Sequence, residues 1–243
     1  RCKAQWLAEP LSPHESMSPS AYTVRIWDLP TRLFHWLLVI CIIAMVVTAK
    51  VGGNAMNWHL ILGQVVLALL IFRVLWGLVG GYWSRFTRLL TSPAALSRYL
   101  RGQASAHDRA GHNPLGALSV IAMLMVLIAQ VASGMLSDDE IAFSGPLTRF
   151  VSGDTVSIAT NFHAHWGQYL IYALVGLHLV AIGWYSLRGQ RLVPAMVTGD
   201  KQLEAPVTAA QDSAGSRLLA AVLAVVASGI AWWVHQLGQV SGF

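Results

Sequence analysis

The chain has 243 residues, 55% of them hydrophobic and only 11% charged, against roughly 25% charged in an average soluble domain. The formal net charge is +5, but the basic residues are scattered between apolar runs, so no nucleic-acid role is needed to explain them. Cys2 lies in a polar tail and Cys41 inside an apolar run, which argues against a disulfide between them.

Taken in chain order, residues 1–21 are a polar, proline-marked tail, expected to be disordered and lacking the apolar stretch of a secretory signal. Pro30 stands at the entry to the first of five apolar runs, a favoured place for proline at a helix start. The runs cover residues 33–49, 58–79, 115–136, 166–187 and 218–234. A bilayer core about 30 Å thick is spanned by roughly 20 helical residues. Barrel strands would instead alternate over about ten residues. The predicted fold is an all-α integral membrane protein. A four-helix transmembrane bundle over residues 22–199 is followed by a linker (200–216) and an accessory C-terminal transmembrane helix (217–243).

The connections differ in character. Gly52-Gly53-Asn54 predicts a tight turn between the first two spans. In the long connection 80–114, Ser92-Pro93 reads as a helix cap followed by proline at the first helical position. Leu96, Tyr99 and Leu100 beside Arg98 and Arg101 suit a short helix on an anionic leaflet, and an ordinary solvated loop fits equally well. The connection 137–161 carries Asp138, Asp139, Glu140 and Asp154 against Arg149.

Placement of the basic residues predicts orientation. Arg1, Lys3, Arg25 and Arg32, then Arg85, Arg88, Arg98, Arg101 and Arg109, then Arg188, Arg191, Lys201 and Arg217 all fall on one side. The other side has only Lys50 and Arg149. The positive-inside rule therefore expects a cytoplasmic N-terminus.

Ionisable residues at membrane depth are costly and usually mark function. His35 lies near the predicted cytoplasmic end of the first span, and His59 opens the second from the outer side. His163 and His165 precede the fourth run, and His178 lies deeper within it. Two histidines from different helices are thus available near each face. That arrangement suits bis-histidine ligation of two haems stacked across a bilayer, so heme b (two) is the expected cofactor. Interhelical hydrogen bonding by the histidines is the competing reading. No CxxCH is present, which argues against covalent c-type attachment.

At about 100° per residue, the fifteen residues from His163 to His178 amount to about 60°, and the thirteen from His165 to about 220°. Ligands on one helix serving two stacked haems should share a face, which favours His163 over His165. His59 and His163 each open an HxxxGQ pattern, with Gly63 and Gly167 placed to let a flat macrocycle approach the backbone. Arg73 shares the interior face with His59, and either meets a propionate or quinone headgroup or snorkels to the interface. His14, His107 and His112 are read as solvated, with His112 within reach of a propionate.

Residues 24–36, reading Val-Arg-Ile-Trp-Asp-Leu-Pro-Thr-Arg-Leu-Phe-His-Trp, resemble the opening motif of the bacterial di-haem cytochrome b561 group, which includes b-type subunits of nickel-iron hydrogenases. Trp58-His59 with Gly63, then Arg73 and Trp76-Gly77, resemble its second helix. Residues 111–116 and 192–199 resemble the start of its third helix and the stretch after its fourth. The resemblance implies that His35 and His178 ligate a cytoplasmic-side haem and His59 and His163 an outer one. In that group the two fourth-helix histidines are usually fourteen residues apart. The fifteen found here require either a one-residue bulge or a different outer ligand. The implied function is transmembrane electron transfer in a bacterial inner membrane, in contact with membrane lipid. It would run between the quinone pool or a partner subunit and a periplasmic c-type cytochrome or redox enzyme subunit. Quinone- or superoxide-linked oxidoreduction and a haem-containing anchor subunit are the alternatives.

Overall fold

The computed structural model describes residues 22–239, so the tail at 1–21 lies outside the described residues. Strand β1 (Tyr22–Arg25) leads into helices α1 (Leu29–Val51) and α2 (Ala55–Val79). Two short helices, α3 (Pro93–Leu100) and α4 (Ala106–Ala110), precede α5 (Pro114–Met135). Helix α6 (Gly153–Asn161) runs through a π-helical turn (Phe162–Gly167) into α7 (Gln168–Leu187). Helix α8 (Leu192–Thr198), strand β2 (Asp200–Leu203) and α9 (Ala214–Gln239) complete the chain.

Five helical stretches are long and apolar enough to cross a membrane: α1, α2, α5, the continuous Gly153–Leu187 and α9. Their outward faces carry exposed Ile40, Ile43, Val47, Leu179, Val180 and Val225. A soluble monomer seldom exposes an apolar patch beyond a few hundred Å². The chain is a multi-span membrane protein, as its composition predicts. Helix α2 is the central element: Val66 and Leu70 pack with Cys41 of α1 and Leu127 of α5, while Phe72 and Trp76 pack with Ala220 and Ala227 of α9. The accessory helix thus lies against α2 through small side chains.

Local chemistry explains the helix starts. Asp28, Ser92 and Asn113 each accept a backbone N–H from the residue three positions on, and proline stands within the first two positions of α1, α3 and α5. The glycine turn after α1 has Gly52 and Gly53 at φ 66° and 53°, a region costly for other residues.

Two connections depart from expectation. The segment 153–161 is helical, because Ser152 caps it and Asp154 sits favourably in its first turn. Its polar side chains hide it from a hydropathy reading. The linker 200–216 is also partly ordered. β2 pairs antiparallel with β1, Tyr22 opposite Leu203 and Arg25 opposite Asp200. Arg25 bonds Asp200 at 2.9 Å and Asp212 at 3.1 Å, and Arg217 bonds Asp212 at 2.9 Å. Ile26, Trp27, Trp83, Ala110, Ala195 and Leu203 form a core beneath. A small folded cap therefore closes the basic end of the bundle.

Candidate functional site

At the end of the bundle away from that cap, helices α1, α2 and α5, the π-helical turn with the start of α7, and the connection 137–146 line an open cavity of about 380 Å³. His59 and His163 both line it, with ring centroids 6.1 Å apart and planes at 86°. Each ring is held from behind. His59 Nδ1–H donates to the Met45 carbonyl at 3.0 Å, and His163 Nδ1–H to the Gln130 carbonyl at 2.8 Å. Backbone carbonyls on Nδ1 fix both tautomers, leaving Nε2 of each ring as the atom able to bind a metal.

A π-helical turn at Phe162–Gly167 matches one of the two readings of the His163-to-His178 spacing, a one-residue bulge. His165 is exposed and does not line the cavity. Gly63 lines it, and a Cβ there would meet nothing nearer than Met45 Cε at 3.8 Å. Gly167 is buried, and a Cβ there would overlap Gln130 Oε1, so its hydrogen leaves room for the glutamine amide.

At the basic end, His35 and His178 are half-buried and lie within electrostatic reach of each other. Arg73 is 5% exposed, with its guanidinium 4.8 Å from the Phe86 ring centre. It stays buried instead of snorkelling. Asp28, fully buried, accepts hydrogen bonds from Thr31 N at 2.8 Å, Ser84 Oγ at 2.6 Å and Trp76 Nε1 at 3.4 Å.

His112 is not the solvated residue expected from sequence. It packs on Trp27 at 4.8 Å, because the cap folds over it. Burial, with Arg73, Lys201, His178 and His35 nearby, pushes its pKa down to about 3. His107 likewise packs on Trp83, at 4.7 Å.

Among the described residues, five buried side-chain atoms lack a hydrogen-bond partner: Arg32 Nε, His35 Nδ1, Gln64 Oε1, Arg73 Nη1 and Gln130 Oε1. Gln64 and Gln130 line the cavity with His59 and His163, and His35 and Arg73 belong to the basic-end group. Orphaned buried polar atoms are costly and call for an explanation, of which a ligand is one. Asp28 and Gln130 escaped the sequence reading. Asp28 carried a signal, an acidic residue just before Leu-Pro-Thr, and Gln130 carried another as the lone amide side chain in its apolar run.

The sequence model of the family described as prokaryotic cytochrome b561 matches residues 26–199. A curated relative from Rhizobium leguminosarum bv. viciae, a probable Ni/Fe-hydrogenase B-type cytochrome subunit, is 24% identical over 232 residues. That match covers 77% of this chain and 96% of the relative. No solved structure matches significantly. The family match spans α1 to α8, both histidine pairs included, and stops short of β2 and α9. The chain belongs to the prokaryotic cytochrome b561 family, membrane proteins with an electron-transfer role.

Proposed function

We propose that this chain is a transmembrane electron-transfer cytochrome that holds two haems b without covalent attachment. His59 and His163 would hold the outer haem, and His35 and His178 the one near the capped end. The observation that carries the reading is the His59–His163 pair, with centroids 6.1 Å apart and each Nδ1 engaged by a carbonyl. With each Nδ1 engaged by a carbonyl, the two Nε2 atoms are the ones that would hold the iron.

Haem b supplies a reversible one-electron couple whose potential the surrounding protein sets. This chain's residues bind, bury and balance it. Gly63 leaves room at the outer cavity wall. The buried, unpartnered Nη1 of Arg73 is suited to a propionate carboxylate at the capped end.

The basic residues support a cytoplasmic location for the capped end, in a bacterial inner membrane. A cleft at that end is lined by Tyr99, Arg109, Trp184, Tyr185 and Arg188. Tyr185 lies seven residues after His178, two turns along the same face of α7. Tyr99 and Tyr185 hydroxyls bond at 2.9 Å, and Asn113 Nδ2 donates to Tyr185 at 2.9 Å. Such donors beside apolar walls suit a quinone headgroup from the pool. The outer haem would then exchange electrons with a periplasmic c-type cytochrome or redox enzyme subunit. The test is a reduced-minus-oxidised spectrum with acid-acetone extraction. It should show b-type bands and about two extractable haems per chain, whereas haem retained through extraction, or none bound when haem is plentiful, defeats the reading.

A further inference from the structure

The fourth span departs from α-geometry at one place, Phe162–Gly167, where the chain adopts a π-helical turn. Such turns are rare, cost hydrogen-bond geometry and tend to occur at functional sites. Something must hold this one open. Ser152 caps α6 some ten residues earlier and does not touch it. The side-chain hydrogen bonds that reach the turn join it to α5. Gln130 Nε2 donates to the His163 carbonyl at 2.9 Å, and the Gln130 carbonyl accepts His163 Nδ1–H at 2.8 Å. One residue therefore grips both the backbone and the ring of His163.

Two glycines complete the seat. A Cβ on Gly134, one turn after Gln130, would lie 2.6 Å from His163 Cε1, so the ring rests on bare backbone. Gly167 leaves the space into which the Gln130 amide fits. The ring Nδ1–H and the backbone carbonyl of His163 are thus met by α5, and the amide sits where a side chain at 167 would exclude it.

We propose that Gln130 is the positioning residue of the outer site. Its side-chain amide stabilises the π-helical turn through the His163 carbonyl, and so keeps the His163 ring oriented onto the backbone carbonyl of residue 130. This rests on the reading of His163 as the outer haem ligand. Relaxation of the turn to α-geometry would rotate the segment before it by one residue, about 100°. Phe162 or Ala164 would then approach the place of His163, and neither carries a ligand atom. The carbonyl on Nδ1 belongs to the backbone of residue 130 and strengthens the histidine ligand, and the side-chain amide, by holding the turn, keeps the ring against it, so loss of the amide alters the metal's electronic state even where the haem stays bound.

The experiment compares holoprotein of the unmodified chain with H163A, Q130M and G167A in the same membranes. Haem stoichiometry, redox titration and low-spin electron paramagnetic resonance are read for each. H163A should lose one haem of two. Q130M should shift the midpoint potential and resonance position of that same haem, or lower its occupancy, with the other haem unchanged. G167A should reproduce Q130M, because its methyl group displaces the amide, and it supplies the test if Q130M does not accumulate. H163A with one haem lost, beside Q130M and G167A with unaltered potentials and resonances, overturns the role of Gln130. Retention of both haems by H163A instead overturns the ligand assignment beneath it.

Discussion

The Asp28 carboxylate accepts the Trp76 indole N–H at 3.4 Å, which ties the start of α1 to the end of α2. The same carboxylate caps α1 through Thr31 N and accepts Ser84 Oγ–H. His35 lies seven residues further along α1, so its height and rotation depend on this anchor. Removing the side chain forfeits a cap worth about 1 kcal/mol. It also strands buried donors at about 1–3 kcal/mol each. Asp28→Ala should therefore lower the thermal midpoint in detergent by several degrees and release the haem of the capped end first. Thermal melts followed separately at the two haems' bands measure both effects, and simultaneous release of the two would deny Asp28 a local role.

Histidine substitutions should fall into two groups. His35→Ala and His178→Ala are expected to remove one and the same haem, and His59→Ala and His163→Ala the other. His165→Ala should leave both in place, since that side chain is exposed and away from the cavity. Difference spectra with haem quantification on the five variants decide the matter. Loss of the outer haem from His165→Ala alone would reassign the ligand.

Much of this architecture was legible in the sequence because membrane spans announce themselves by length and hydropathy. The cap at Ser92 and the glycine turn at Gly52 are similarly local, and each appears where its residues predict. What escaped is non-local or masked by polarity. Arg25 meets Asp200 across 175 positions, so the cap that buries His112 has no local signature. The helix from Gly153 is too polar for a hydropathy reading, although Ser152 and Asp154 are proper start signals. The π-helical turn was visible only as an awkward spacing between His163 and His178. Its cause, Gln130, lies on another helix.

Lys201 offers a pH-dependent signature of the cap. Its ammonium donates to the Arg109 and Ala110 carbonyls at the end of α4, but burial pushes its pKa down to about 8. The unfolded chain has the ordinary value near 10.5. Between about pH 8 and 10.5 the folded state has released a proton that the unfolded state still binds. Stability therefore rises with pH across that window, and below it the cost of the buried charge is constant. Lys201→Met should flatten this rise relative to the unmodified protein. Chemical unfolding in detergent at pH 7.5, 9 and 10 measures it, and parallel curves for the two proteins would contradict the assignment.

The connection opposite the cap offers a test of the proposed periplasmic partner. Its acids look from sequence like a steering patch for a basic carrier, but the structure divides them. Asp139 Oδ1 accepts the backbone N–H groups of Phe143, Ala142 and Ile141 at 2.9–3.0 Å, and these bonds hold its pKa below the usual carboxylate value. Asp138 Oδ1 accepts Glu140 N at 2.6 Å, and Asp138 N–H donates to Thr160 Oγ1 at 3.0 Å. Neutralising either would disturb the loop beside the outer cavity and blur the result. Glu140 and Asp154 are exposed, and their neutralisation spares the turns held by Asp138 and Asp139, at the cost only of the favourable charge that Asp154 sets at the start of α6. If the patch steers a basic periplasmic carrier, E140Q combined with D154N should slow association at low ionic strength by about 2–10-fold. The difference should fade near physiological salt, where the Debye length is about 8 Å. Stopped-flow electron exchange across a salt series provides the measurement. A salt slope identical to that of the unmodified chain would leave these acids with the loop alone to serve.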